Sequence, residues 1–376
     1  MPSEHAALLK DSVADFVSRA TSIARVRALR GTPAEYDREI WRQMAELGWL
    51  GIALPERYGG MGLGLTETAI VAEGLARALA PEPYTACAVL AAGVIAASDN
   101  ETLKDEILPK IASGDLVAAA AWQEQAGVLD SDHIAARATP FEGGYRLSGT
   151  KRYVVGAAGA DGYVVAARAD EGLVLGYIER DAAGVSADLE ALADGRHFGT
   201  IRFEDALVRR EHVAATGAAA GAALARALDH AAAMTAAELY GVMSRALEMS
   251  VDYMKTRVQF GKPIGSFQAL QHRAVDLYIQ QQLASAVLED SLRDLDADPE
   301  PTRRAAIVSR LKARCSDAGV RITREAIQIH GAIGFTDEYD AGLYLKRALV
   351  LGAWLGNAAQ HRRRYASVAL DRGVPA

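Results

Sequence analysis

RVQFGKPIGSFQALQH, residues 257–272, is the stretch from which the architecture is read. An arginine and a phenylalanine three apart lead into Gly-Lys-Pro-Ile-Gly, and an apolar, glutamine-rich run follows. Glycine and proline at that density end one helix and leave room for another to begin. Upstream, Leu224, Leu228, Thr235, Leu239, Val242, Ala246 and Met249 fall on one face of a long helical pattern, and the alanine-rich stretch 215–237 favours helix and close helix packing. The stretch 257–272 is therefore a break between long helices.

Further toward the N-terminus, between about 118 and 213, the pattern becomes short alternating or apolar runs (YRLSGTKRYVV, GYVVAARA, GLVLGYI, GTIRFEDA) separated by GG, GADG and DEG turns. These read as strands. Residues 3–117 are helical again: apolar positions recur at three and four in ALLKDSVADFV, IWRQMAELGWLGI and ETAIVAEGLARAL. PERYGGMGLG and PEPY punctuate them, with Thr66 as an N-cap. The fold class is α+β: an N-terminal helical domain (1–117), a middle β-domain built as a small barrel or sheet (118–214) and a C-terminal helical domain (215–376) formed as a four-helix bundle.

Composition excludes several functions. The 376 residues are half apolar, with mean hydropathy near zero and no uninterrupted apolar run of membrane-spanning length. MPSEHAALLKDSVADF has no signal-peptide core, so a cytoplasmic location is expected. A net charge of −7 disfavours nucleic acid as the partner, and HRRRY at 361–365 reads as a solvated helix end. Cys87 and Cys315 lie far apart, with no CxxC or Cys/His group, so neither a disulfide scaffold nor a metal site is expected. A nicotinamide fingerprint would need GxGxxG after a first strand; GGMGLG lies between helices and GAIG late in the chain.

RVQFGKPIGSFQALQHRAVDLYI resembles a C-terminal signature of the acyl-CoA dehydrogenase family. WRQMAELGWLGIALPERYGGMGLGLTETAIVAEGLARAL, GYRLSGTKRYVVGAAGADGYVVAAR and REAIQIHGAIGFTDEYDAGLYLKRA resemble its N-terminal helices, middle strands and second C-terminal signature, in the family's order. The resemblance implies FAD as cofactor, an acyl-CoA thioester as substrate, electron-transfer flavoprotein as acceptor and a site completed by a neighbouring subunit. It implies that Arg257 and Phe260 reach the cofactor of that neighbour, and that Gln328, Gly331 and Gly334 approach its ADP part, with His330 beside them. The residue types suit this: a guanidinium matches pyrophosphate oxygens in pairs, and glycine lets backbone amides come close.

The family's chemistry removes an α proton with a glutamate and passes a β hydride to the flavin, so a carboxylate in a dry pocket is required. At the two places where the resemblance puts that base, this chain has Leu355, before Gly356, and Ala231. Asp229 and Glu238 are the nearest carboxylates on the same helix; Ala232 stands where the family pattern expects an arginine. Glu238 is two turns beyond Ala231, roughly 10 Å along the axis, which makes it a weak candidate for a catalytic base. The run over the flavin, WQEQAGVLDSDH (122–133), keeps Glu124 but has Gln123 and Gln125 for a threonine and a proline, and Trp-Ile-Thr becomes Tyr153, Val154, Val155.

Lost base and retained cross-subunit residues together resemble the partner chains of heteromeric members, such as the small subunit of pimeloyl-CoA dehydrogenase and those of actinobacterial heterotetrameric enzymes. The resemblance implies a paralogous subunit in an α2β2 assembly. Two other readings remain: a homo-oligomer with a displaced base, and a structural or regulatory paralogue without flavin.

Overall fold

A computed structural model of the chain describes residues 4–33 and 35–370. Helices come first: α1 (Glu4–Ala20), α2 (Ile23–Leu29), α3 (Arg38–Glu46), α4 (Leu65–Arg77), α5 (Ala92–Ala96) and α6 (Glu101–Ala112). Strands β1 (Ala118–Ala121), β2 (Arg137–Phe141), β3 (Gly144–Val155), β4 (Gly162–Ala169), β5 (Gly172–Glu179), β6 (Val185–Ala191), β7 (His197–Arg209) and β8 (Val213–Thr216) follow. The 40-residue α7 (Gly217–Thr256), a miniature ladder of β9 (Val258–Gln259) and β10 (Lys262–Pro263), then α8 (Gln268–Asp296), α9 (Pro301–His330), α10 (Ala341–Ala353) and α11 (Ala358–Leu370) complete the order. The helix, sheet, helix sequence expected from periodicity is the sequence observed.

Two compact units divide the chain: one contains Ala28–Gly64 and Pro81–Ala231, the other the described residues up to Arg27, Leu65–Ala80 and the chain from Ala232 onward. The first holds an eight-stranded sheet in the order β6-β7-β3-β2-β4-β5-β8, with β1 pairing parallel to β4. β4 and β5 are buried almost throughout, because GYVVAARA and GLVLGYIE are apolar on both faces of the pleat, as central strands are. β6, VSADLEA, is mostly exposed and charged, which suits an edge. Tyr163, Val165, Ile178, Ile201, Phe203 and Val208 form the core of this unit.

In the second unit, α9 turns Ile307, Val308, Leu311, Cys315, Ala318, Ile322, Ala326 and Ile329 inward at helical spacing. It packs against α8, α10 and α11. α4 and α7 approach so closely that a Cβ on Gly241 would lie 2.3 Å from the Glu73 carbonyl oxygen. Thr66 is not the cap of α4. That helix begins at Leu65, and its free amides are taken by Asp296 at the end of α8, which accepts from the Leu65 amide at 2.6 Å and the Thr66 amide at 3.3 Å. A cap supplied from 230 residues away leaves no local signature.

Candidate functional site

The 257–272 stretch folds as a hairpin closed by Phe260 and Gly261, which both have positive φ (52° and 76°), as a type I′ turn requires. Left-handed backbone costs a side-chain-bearing residue about 1 kcal/mol. Nothing buried repays it here, because Phe260 is 90% exposed. Its ring meets Phe267 edge-on at 6.1 Å, and the Lys262 ammonium lies 4.4 Å over the Phe267 ring. Arg257 is exposed, and among the described residues its guanidinium has no hydrogen-bond or ion-pair partner.

The Gln328–Gly334 segment runs from the last turn of α9, which ends at His330, into the turn Gly331–Phe335. Gln328 is exposed, and Gly331 takes φ 66°, ψ −139°, a region essentially confined to glycine, with no atom within 4 Å of where a Cβ would stand. Gly334 is buried; a Cβ there would lie 2.8 Å from the Ile327 carbonyl oxygen. Exposed Ile333 and Phe335 flank it. His330 is 3% exposed and belongs to a three-ring cluster, with Tyr253 and Tyr339 each 4.5 Å away between centroids.

Leu355, where the resemblance expects a glutamate, is buried and has φ 54°. Two basic side chains hold its turn. The Lys312 ammonium, fully buried, donates to the carbonyls of Leu351 (3.0 Å) and Gly356 (2.9 Å) and to Ser316 Oγ (3.2 Å). Three acceptors match its three protons and tie the last turn of α10 to the start of α11. Burial pushes Lys312 down to about 7. His361 Nε2 lies 2.8 Å from the Leu355 carbonyl oxygen, and burial drives its pKa down to about 3. Beside the turn, a cleft of about 540 Å³ is lined by Arg321, Arg324, Gly352, Asn357 and Ala358.

Ala231 is fully buried and Asp229 is 2% exposed. Glu238 is engaged: its Oε2 accepts from the Arg347 guanidinium at 2.7 Å, both side chains being about nine-tenths buried.

In the sheet unit, Glu124 closes the loop that follows β1. Its carboxylate accepts from the amides of Ala135 (2.8 Å) and Ala136 (2.9 Å) and from Lys151 Nζ (2.5 Å). Burial raises the Glu124 pKa, but the ammonium and the two amides outweigh it and hold the carboxyl below its usual range; burial brings Lys151 down to about 8. Gln123 turns its amide back on the loop, donating to the Gln125 and Val128 carbonyls. Tyr153 has φ 59°, meets Phe198 edge-on at 5.8 Å and carries the Arg152 guanidinium 5.2 Å from its ring centre.

The acyl-CoA dehydrogenase C-terminal domain model matches residues 220–370, and the N-terminal domain model matches residues 3–115. Acyl-CoA dehydrogenase IpdE2 of Mycobacterium tuberculosis is 32% identical over 348 residues, 92% of each chain. The chain belongs to the acyl-CoA dehydrogenase family. Members are FAD-binding oxidoreductases acting on CH–CH groups. Among solved structures, the ChsE4–ChsE5 complex from Mycobacterium tuberculosis superposes with TM-score 0.90 at 27% identity, covering all of this chain and 99% of that one. The Tcur3481–Tcur3483 steroid ACAD does so with TM-score 0.89 at 28% identity, covering 99% of both. Among the described residues no helix is long and apolar enough to cross a membrane, and no group of His, Cys, Asp and Glu could hold a metal ion.

Lys312, Lys151, Tyr253 and Tyr339 were not singled out by the sequence, and His361, read there as part of a solvated helix end, is in fact 1% exposed because its ring is turned into the core beneath the Leu355 turn. Lys312 carried a usable signal, since it stands in phase with the apolar stripe of α9 between Val308 and Cys315. The others depend on contacts distant in sequence.

Proposed function

We propose that this chain serves FAD-dependent α,β-desaturation of an acyl-CoA thioester as the base-lacking subunit of a heteromeric enzyme. It lends Arg257, Phe260, Gln328, Gly331 and Gly334 to a flavin held mainly by a paralogous subunit, with electron-transfer flavoprotein as acceptor. The observation that carries this is the Leu355 turn: it is intact and firmly tied by Lys312 and His361, yet presents a buried isobutyl group to the place where a carboxylate is needed. Two of the relatives whose structures are solved are described as a ChsE4–ChsE5 complex and a Tcur3481–Tcur3483 pair, which supports a two-chain assembly.

The residues fit the edge of a dinucleotide. A guanidinium without a partner, an aromatic ring held in solvent by strained backbone and a glycine with open space over its α carbon together suit a diphosphate with a planar ring beside it. Bound flavin would supply the hydride acceptor. Arg257 would neutralise phosphate charge, Gln328 and the Gly331 backbone would orient the ADP part, and Phe260 would shield it from water. The sheet unit suits a flavin of its own less well, because Gln123 spends its amide on loop carbonyls and Val155 has no hydroxyl.

Expression alone and together with a glutamate-bearing paralogue tests this. Flavin absorbance near 450 nm and dye reduction by acyl-CoA are expected only from the pair. A yellow, active single chain would overturn it in favour of the homo-oligomer with a displaced base. Glu238→Gln then separates the cases, since Glu238 is the candidate that a displaced-base mechanism needs, and unchanged turnover in that variant removes it.

A further inference from the structure

We infer that His330 is a positioning residue that sets the β9–β10 hairpin and the Gly331–Phe335 turn against each other, so that both edges of the cofactor-holding surface move as one piece. This rests on the reading of those two segments given above. His330 ends α9, and its Nδ1 donates to the Ala326 carbonyl at 2.7 Å, which fixes the plane of the ring. On one side the ring packs on Tyr253, near the end of α7; the Tyr253 carbonyl accepts the Arg257 amide at 2.8 Å, and the Arg257 carbonyl accepts the Ile264 amide at 2.8 Å. The base of the hairpin therefore hangs on the residue His330 touches. On the other side the ring packs on Tyr339, beyond the turn, and its Cβ lies 3.1 Å from where a Gly334 Cβ would stand. Tyr253 and Tyr339 are themselves 6.2 Å apart, so the three rings form a triangle with the imidazole as the member in closest contact with both.

Ring and tether can be separated by substitution. His330→Phe keeps an aromatic ring and removes the donor, whereas His330→Asn keeps a donor and removes the ring. In the full-length chain, His330→Asn is expected to speed amide exchange across 257–263 as well as 331–335 by about tenfold, with the sheet amides of β3 unchanged. His330→Phe is expected to restore protection at both segments. In the assembled enzyme, FAD retained per complex after gel filtration should fall several-fold for His330→Asn and recover for His330→Phe, while the thermal midpoints of the two variants stay close. Should His330→Asn not fold, Tyr339→Leu is the second variant, expected to loosen the same two segments. Faster exchange confined to 331–335, or a His330→Phe chain as loose as His330→Asn, overturns the assignment. Loosening of both segments without loss of FAD upholds the coupling and counts instead against the cofactor-edge reading, which Arg257→Gln probes independently through FAD retention alone.

Discussion

At the scale of single residues, the turn at Leu355 is held through its backbone and carries a buried isobutyl group. Lys312 and His361 satisfy the carbonyls of Leu351, Leu355 and Gly356, so the side chain on residue 355 can change without the turn collapsing. The same contacts make the fold sensitive to acid. The unfolded chain takes up a proton on His361 near pH 6.5, the folded chain only near pH 3, so the contribution is complete above about pH 6.5 and is lost as pH falls. Between pH 7 and pH 4 this group alone should remove about 3 kcal/mol of stability. His361→Gln, which keeps a donor for the Leu355 carbonyl, should flatten that part of the profile in urea unfolding; an equal slope in both proteins would show that the imidazole is not the cause.

Among elements, the loop from Glu124 to Ala136 is held in part by the buried Glu124–Lys151 ion pair. Glu124→Gln keeps an acceptor for only one of the Ala135 and Ala136 amides, which bond to different carboxylate oxygens, and leaves the Lys151 ammonium buried without its counter-charge. A loss of about 3 kcal/mol is expected near pH 5. The deficit should shrink toward pH 8 as Lys151 in the variant sheds its proton, and protease cleavage within 124–136 should quicken. Elements were also the level most legible in the sequence. Short apolar runs gave β4 and β5, and a period-3.6 stripe gave α7, because burial of one face or both leaves a direct mark on residue order. What could not be read were the ties between elements distant in the chain: Asp296 capping α4, Lys312 joining α10 to α11, Arg347 engaging Glu238. Each depends on a partner 39 to 231 residues away, which no local pattern encodes. At the candidate site, Arg257, Phe260 and Gly331 were put forward by the resemblance alone. The strain that holds Phe260 in solvent was not legible, since the sequence would equally allow a turn with glycine leading.

For the whole molecule, part of the exposed apolar surface is grouped on one helix. Val275, Tyr278, Ile279 and Leu283 recur at helical spacing on α8, each between 46% and 55% exposed, and Phe260 and Phe335 stand out on the same unit. A stripe of that kind marks a surface meant to be covered. Tyr278→Asp is expected to shift the assembled enzyme toward smaller species by at least tenfold in dissociation constant, read by sedimentation, with circular dichroism unchanged. A charge tolerated there without loss of assembly would place the contact elsewhere. The bare phenylalanine at the hairpin tip carries a cost for the cell. In the proposed assembly, a copy synthesised in excess of its partner would display that ring to chaperones and proteases, so its lifetime should follow the abundance of that partner.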